Sequence, residues 1–252
     1  MSPSFTTGEP PALDRAFDSP DDKRRYNERL FATIAARYDL ITRLLSFGLD
    51  QRWKRRVQRL AAAGPDDVVL DLACGTGDLA FGASGRGARV IGLDLTTRML
   101  ELARERARRE AHRARAVAWV AGDMTSLPIA DRSVDVVTTG YGLRNVPDLP
   151  AALAEIRRVL RPGGRLVALD FDRPESRAVR AIYLAYLDVV GGTLGWLLHR
   201  EPAAYRYIPA SIRRYPGAVR VAGMMRAAGF PDARHVPVLG GLMAIHVAHA
   251  SS

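Results

Sequence analysis

Along the middle of the chain, short apolar runs alternate with amphipathic stretches. VVLDLA (68–73), ARVIGLDL (88–95), AVAWVAGD (116–123), SVDVVTTG (133–140) and GRLVALDF (164–171) are nearly continuous in apolar residues. That is the pattern of strands buried on both faces. TRMLELARERARR (97–109) and ALAEIRRVL (152–160) instead repeat apolar residues at three- and four-residue spacing, the mark of a helix with one buried face. Strands alternating with helices at this spacing predict a mostly parallel sheet with helices on both sides. No period of the length that marks a solenoid or propeller is present.

The flanks read differently. Residues 1–22 are rich in Pro, Ser, Thr and Asp and are expected to form a disordered tail. Residues 23–62 predict a helical cap whose apolar positions are Leu30, Ile34, Leu40, Leu44, Leu45 and Val57, closed by the Gly64-Pro65 break. Residues 172–218 interrupt the alternation and predict a helical insertion. Its centre, IYLAYLDVVGGTLGWLL (182–198), approaches the length of a membrane span. Asp188, the Gly191-Gly192 pair and the flanking arginines favour pocket-lining helices instead. The helix AVRVAGMMRAAGF (218–230) and two strands, ARHVPVLG (233–240) and LMAIHVAHA (242–250), end the chain. One domain over 23–252 accommodates all of this.

Composition narrows the function classes. Hydrophobic residues make up 48% of the 252, which excludes global disorder. The single cysteine, Cys74, excludes an internal disulfide framework and a multi-cysteine zinc site. No basic stretch followed by an apolar stretch opens the chain, so a cytoplasmic location is expected. The net charge of +10 admits nucleic acid, an anionic membrane surface or acidic substrates as partners. Much of it lies in helical stretches such as ARERARREAHRARA (103–116), which also suits a solvated helix face.

The chemistry concentrates at strand ends. The first strand runs into D71-L-A-C-G-T-G-D78, where Gly75, Thr76 and Gly77 make a turn that lets backbone approach a ligand. GTGDLA alone also fits a dinucleotide fingerprint. Asp71 favours a ligand carrying an ammonium group, since a pyrophosphate would be repelled there; a helix-capping role for Asp71 remains open. Asp94, closing the second strand, suits two ribose hydroxyls, which fits a nucleoside of either kind. Asp123 suits an exocyclic amine with Met124 packed on the ring, or is an ordinary loop residue.

DLACGTGD, the Leu93-Asp94 pair, GDMTSLP (122–128) and RVLRPGGRLV (158–167) together resemble the motif series of class I S-adenosylmethionine-dependent methyltransferases. More narrowly, the chain resembles the menaquinone and ubiquinone C-methyltransferase family. That likeness is carried by FATIAARYDLITRLLSFGLDQRWK (31–54), GYGLRNVPD (140–148) and YRYIPASIRRYP (205–216). It implies a Rossmann-like α/β fold with a seven-stranded sheet and S-adenosylmethionine as methyl donor. It also implies methyl transfer to a ring carbon of a prenylated quinol, demethylmenaquinol first, with a ubiquinone-pathway benzoquinol or another small aromatic or lipid as alternative acceptors and an NAD(P)-dependent oxidoreductase as the distant alternative; the donor is an already activated sulfonium, so no metal is expected. The acceptor carbon gains electron density as the neighbouring phenol loses its proton, so a proton acceptor and a cation are needed beside it. Arg144 and Asn145, just beyond the fourth strand, are assigned to that task; a bridge from Arg144 to Asp148 is the structural alternative. Tyr38, Asp39, Tyr207 and Ser211 are expected in the substrate pocket. Gly140 is expected against the donor, where the family often has Ser; Thr42 and Ala210 are the other departures from its pattern. His246 reads as a core histidine.

A prenylated acceptor resides in a bilayer, so transient contact with an anionic membrane surface at the inner face is expected. Tyr183, Tyr186 and Trp196 are the interfacial candidates, ringed by Arg173, Arg177, Arg180, Arg200, Arg213 and Arg214. No nucleic-acid-binding stripe is visible, and nothing in the chain sets its oligomeric state.

Overall fold

The computed structural model describes residues 13–110, 117–174, 176–199 and 202–251, without the side chains of 14, 194–199 and 202–205. Residues 1–12 of the expected tail, and the side chains of Trp196 and Arg200, lie outside the described residues. Seven strands form one sheet in the order β3-β2-β1-β4-β5-β7-β6: β1 Val68–Leu72, β2 Arg89–Asp94, β3 Val117–Ala121, β4 Val134–Gly140, β5 Leu160–Phe171, β6 Arg234–Val238 and β7 Met243–His249. β1 to β5 are parallel, and β7 runs antiparallel to both its neighbours. This is the class I methyltransferase arrangement that the resemblance implied.

Side-chain alternation splits the core into two layers. From β1, Leu70 and Leu72 join one apolar cluster and Val69 the other. The first is covered by α6 (Leu149–Val159) and α9 (Ala218–Ala227), through Leu153, Ile156, Val221 and Met225. The second is covered by α3 (Asp50–Ala61) and α4 (Asp78–Ser84), through Trp53, Val57, Leu79 and Ala83. β3 departs from the expected buried strand: it forms a sheet edge and is only partly covered.

The N-terminal cap starts earlier than its sequence suggested. Residues 13–17 form a short 3-10 turn, and α1 spans Pro20–Ile34. Ser19 caps α1, its hydroxyl accepting from the Asp22 amide at 3.1 Å, and Pro20 opens it. Polar composition concealed this order, because the segment is anchored by few apolar residues. Ala16 is buried, and Phe17 stacks on Tyr207 with centroids 5.7 Å apart.

α2 is only Tyr38–Leu45. Its inward face is carried by Ile41 and Leu45, one turn apart. Leu40 and Leu44, apolar positions of the same helix, are 46% and 44% exposed. The insertion forms α7 (Arg177–His199) and α8 (Pro202–Arg214), which pack on each other. α5 (Thr97–Arg109) follows β2. Sheet order reverses between β1 and β4, so a crevice opens beyond their C-terminal ends.

Candidate active site

Three adjoining cavities occupy that crevice. The largest, ≈ 570 Å³, lies between the N-terminal cap and α7 and has an almost wholly apolar lining. A second of ≈ 100 Å³ follows the ends of β1 and β2, and a third of ≈ 30 Å³ sits under the glycine turn. Tyr38 and Tyr141 line all three, while Phe31 and Asn145 line the first two. The large apolar space therefore meets the two smaller, more polar ones at these side chains.

The residues leaving β1 and β4 are bent sharply. Ala73 and Tyr141 both adopt left-handed backbone, with φ of 49° and 64°. Such strain in non-glycine residues is held by surrounding structure and clusters where a site needs it. Here it turns the backbone of β4 so that the Tyr141 ring enters the crevice. Gly77, with φ of 90°, begins α4 and lines none of the three cavities; a Cβ there would lie 2.7 Å from Trp119. Its contribution is the turn itself.

Asp71 is buried at the end of β1, accepting from the Thr138 hydroxyl at 2.8 Å and the Ala80 amide at 3.0 Å. The second bond satisfies a first-turn amide of α4, so the capping alternative is realised, and the same carboxyl lines the third cavity. Burial pushes it up to about 7. Asp94 accepts from the Gly75 amide at 2.8 Å and the Thr96 amide at 2.8 Å, and it lines the second cavity. Asp123 accepts from the Thr125 amide and hydroxyl at 2.8 and 2.7 Å and pairs with Arg24 at 3.4 Å. It stands with Met124 and Gly140 in the second cavity wall. A Cβ on Gly140 would come within 3.3 Å of Leu79, so a serine there needs only a small shift.

Arg144 is buried on the wall of the large cavity. Its Nε faces Asp170 Oδ1 at 3.3 Å, its amide donates to Asp170 Oδ2 at 2.9 Å, and Nη1 donates to Ser211 Oγ at 2.6 Å. The guanidinium lies 4.8 Å from the Phe171 ring centroid. Its carboxylate partner is thus Asp170 rather than Asp148, which instead caps α6 by accepting from the Ala151 amide. Among the described residues, none accepts a hydrogen bond from Nη2 of Arg144. Asn145 is fixed from two sides: Nδ2 donates to the Tyr141 carbonyl at 2.9 Å, and Oδ1 accepts from the Tyr207 hydroxyl at 3.2 Å.

Two expected pocket residues serve elsewhere. Asp39 accepts from the Thr76 hydroxyl at 2.7 Å, tying α2 to the glycine turn, and does not line the large cavity. Ser211 is buried behind Arg144 and donates onward to the Ile208 carbonyl. Proximity was legible from sequence, but side-chain direction was not. Tyr38 and Tyr207 do line the cavity.

Several site residues were not foreseen. Asp170 ends a buried strand just as Asp94 does, a signal that was available. Lys54 is buried between Asp78 (2.7 Å) and Asp50 (3.3 Å) and lines the third cavity. Nothing in RWKRRVQR distinguishes it from its basic neighbours. α1 clasps the loop after β4: Lys23 Nζ donates to the carbonyls of Arg144 and Val146 at 3.1 and 2.6 Å, and Asn27 Nδ2 donates to that of Asn145 at 2.6 Å. Burial, then the charge of Arg144, lowers Lys23 to about 8. Burial pushes the Cys74 thiol well above its ordinary range, which leaves it unreactive.

The ubiE/COQ5 methyltransferase family model matches residues 20–250. A demethylmenaquinone methyltransferase of Thermus thermophilus is 44% identical over 86% of this chain and 98% of its own length. A 2-phytyl-1,4-naphtoquinone methyltransferase of Synechococcus elongatus is 41% identical over 88% and 96%. The ubiquinone/menaquinone biosynthesis C-methyltransferase UbiE of Rubrivivax gelatinosus is 39% identical over 95% and 94%. Among solved structures, an S-adenosylmethionine-dependent methyltransferase of Aquifex aeolicus aligns over 77% of this chain and 87% of its own, with TM-score 0.55 at 16% identity. The [4+2]-cyclase SpnF aligns over 80% of each chain, with TM-score 0.54 at 17% identity. Likeness at that level concerns the fold alone, and the cyclase illustrates that one fold hosts more than one reaction.

Proposed function

The chain belongs to the ubiE/COQ5 methyltransferase family, and on that footing we propose that it methylates a ring carbon of a prenylated quinol, demethylmenaquinol first. Benzoquinol C-methylation is the alternative acceptor class. The observation that carries the reading is the meeting of a large apolar cavity with a polar, carboxylate-lined one at Tyr38, Tyr141 and Asn145, beside the buried Arg144.

The second and third cavities suit S-adenosylmethionine by the chemistry of their donors. Asp94 would hold the ribose hydroxyls, Asp123 and Met124 the adenine, and Asp71 the ammonium, with Gly75, Thr76 and Gly140 forming close walls. When bound, that group supplies a methyl already activated on a sulfonium. The chain's own task is the acceptor. Arg144, held by Asp170 and Ser211, stabilises negative charge developing on the quinol oxygen, where removal of water makes a fixed cation count most. Asn145, fixed by Tyr207, orients the headgroup. The N-terminal cap, α7 and α8 supply most of the apolar wall around it. Because a polyprenyl chain keeps the acceptor in a bilayer, the protein meets it by peripheral contact with an anionic surface. No helix among the described residues is long and apolar enough to cross a membrane.

The test is mass spectrometry of purified protein incubated with S-adenosylmethionine and a short-chain demethylnaphthoquinol under reductant. Gain of one methyl on a ring carbon is expected. Methylation of a benzoquinol analogue alone would move the acceptor to the other class, and no product from either would overturn the reading.

A further inference from the structure

The mouth of the large cavity is built in an unusual way for a water-facing surface. Phe47 is 77% exposed, Ile182 72%, Leu239 47% and Val179 45%, and all four line the cavity. Single exposed apolar residues are ordinary, but four on the rim of one apolar opening form a patch. They come from three separate parts of the chain, so no single helix face explains them. Phe47 stacks on Tyr186 of α7 with centroids 5.9 Å apart, and the Tyr186 hydroxyl donates to the Leu45 carbonyl at 3.4 Å. The tip of α2 is thereby fastened to α7.

Backbone geometry adds a second observation. Phe47 and Leu239 both adopt left-handed backbone, with φ of 51° and 50°. Each precedes glycine with positive φ, Gly48 in one case and Gly240 and Gly241 in the other. A large side chain there is disfavoured, yet both turns carry one at the tip, pointing into solvent.

Exposed arginines flank this rim. Arg43, Arg173 and Arg177 are exposed on the same segments. Among the described residues, Asp188 is paired with Arg213 at 2.7 Å, while Asp39 and Asp172 keep their charge and accept from Thr76 and from the amides of Arg173 and Ala218. An apolar rim flanked by exposed arginines complements the boundary of an anionic bilayer, where acyl chains meet phosphates.

We propose that the cavity mouth is a bilayer-docking face, with Phe47, Val179, Ile182 and Leu239 entering the acyl boundary of an anionic membrane and Arg43, Arg173 and Arg177 at its phosphates. This rests on the reading of the acceptor as a prenylated quinol, and it replaces the interfacial tyrosines expected from sequence. Tyr183 is buried and Tyr186 half-buried, and both face the cavity. The headgroup then passes from lipid into the cavity without crossing water, while its chain remains in the bilayer.

Co-sedimentation of the full chain with vesicles tests the face. Pelleting is expected with phosphatidylcholine–phosphatidylglycerol vesicles at low salt, and much less with phosphatidylcholine alone. Phe47→Asn with Leu239→Asn places residues that tolerate left-handed backbone, so folding is safeguarded, and partition is expected to fall at least about tenfold. Arg43→Gln with Arg177→Gln should weaken partition about fivefold per arginine at low salt, with the difference vanishing at high salt. That pair should still methylate a short-chain quinol in free solution. Undiminished pelleting of the asparagine pair, or no pelleting of the unsubstituted chain on anionic vesicles, would overturn the docking face. Failure of the unsubstituted chain to methylate the short-chain quinol would instead overturn the functional reading, whatever the pelleting shows.

Discussion

Arg144 and Asp170 are joined twice, side chain to side chain at 3.3 Å and amide to carboxylate at 2.9 Å, and both are buried. The pair is therefore a brace for the loop after β4 as well as a charge pair. Asp170→Ala leaves a buried guanidinium without its counter-ion and is expected to cost about 3–5 kcal/mol of stability, read as a lower midpoint in urea unfolding. Arg144→Ala is expected to lower kcat at least about a hundredfold with donor affinity preserved, since Arg144 lines only the large cavity. Wild-type turnover in Arg144→Ala would remove it from the reaction.

Asp94→Ala should weaken S-adenosylmethionine binding by about 2–4 kcal/mol in calorimetry. Part of the loss is indirect. The amides of Gly75 and Thr96 lose their acceptor, so the glycine turn loosens along with the ribose contact. An unaltered affinity would refute the ribose assignment.

Asp71 gives donor binding a pH dependence. Its carboxyl is raised to about 7 by burial, so the folded protein keeps it protonated above its ordinary range. The stability this proton confers is present at low pH and lost as pH rises through about 7. A ligand ammonium prefers the ionised form, so affinity should climb about tenfold between about pH 6 and about pH 8. Titration calorimetry across that range reads it. In Asp71→Asn the slope should vanish, and a slope unchanged there would assign the titration elsewhere.

His246 sets part of the acid limit. It is buried on β7, its Nε2 lies 3.1 Å from the Ala218 carbonyl, and burial lowers it to about 4. The unfolded chain takes up this proton below about pH 6.5, whereas the native state resists it until about pH 4. Its contribution to stability is therefore full above the first value and lost as pH falls towards the second. Because Asp71 gains stability over the same window, the histidine is read by difference: as pH falls across it, the unsubstituted chain should lose about 3 kcal/mol relative to His246→Gln in urea unfolding. An equal loss in that variant would place the acid sensitivity elsewhere.

The parallel strands were legible because burial on both faces removes polar residues from them, and the half-covered edge strand β3 was overread for the same reason. That Asp71 and Asp94 line cavities was legible because both stand at the ends of apolar strands that run into the crevice. Asp39 and Ser211 were brought near the site by resemblance, but a motif does not state which way a side chain points. Lys54, Lys23 and Asn27 act across sequence separations of 24 to 123 residues, which only folding brings together. Which of the apolar positions of α2 turn inward was not legible, because an eight-residue helix buries too narrow a stripe for period alone to identify.

α1 grips the loop that carries Arg144 and Asn145, and through Arg24 and Asp123 it also touches the wall of the second cavity. One rigid element thus shares contacts with the acceptor side and the donor side. Whatever order one ligand imposes on α1 need not be imposed again by the other. Any coupling that α1 carries is reciprocal: the factor by which the donor changes acceptor affinity is the factor by which the acceptor changes donor affinity.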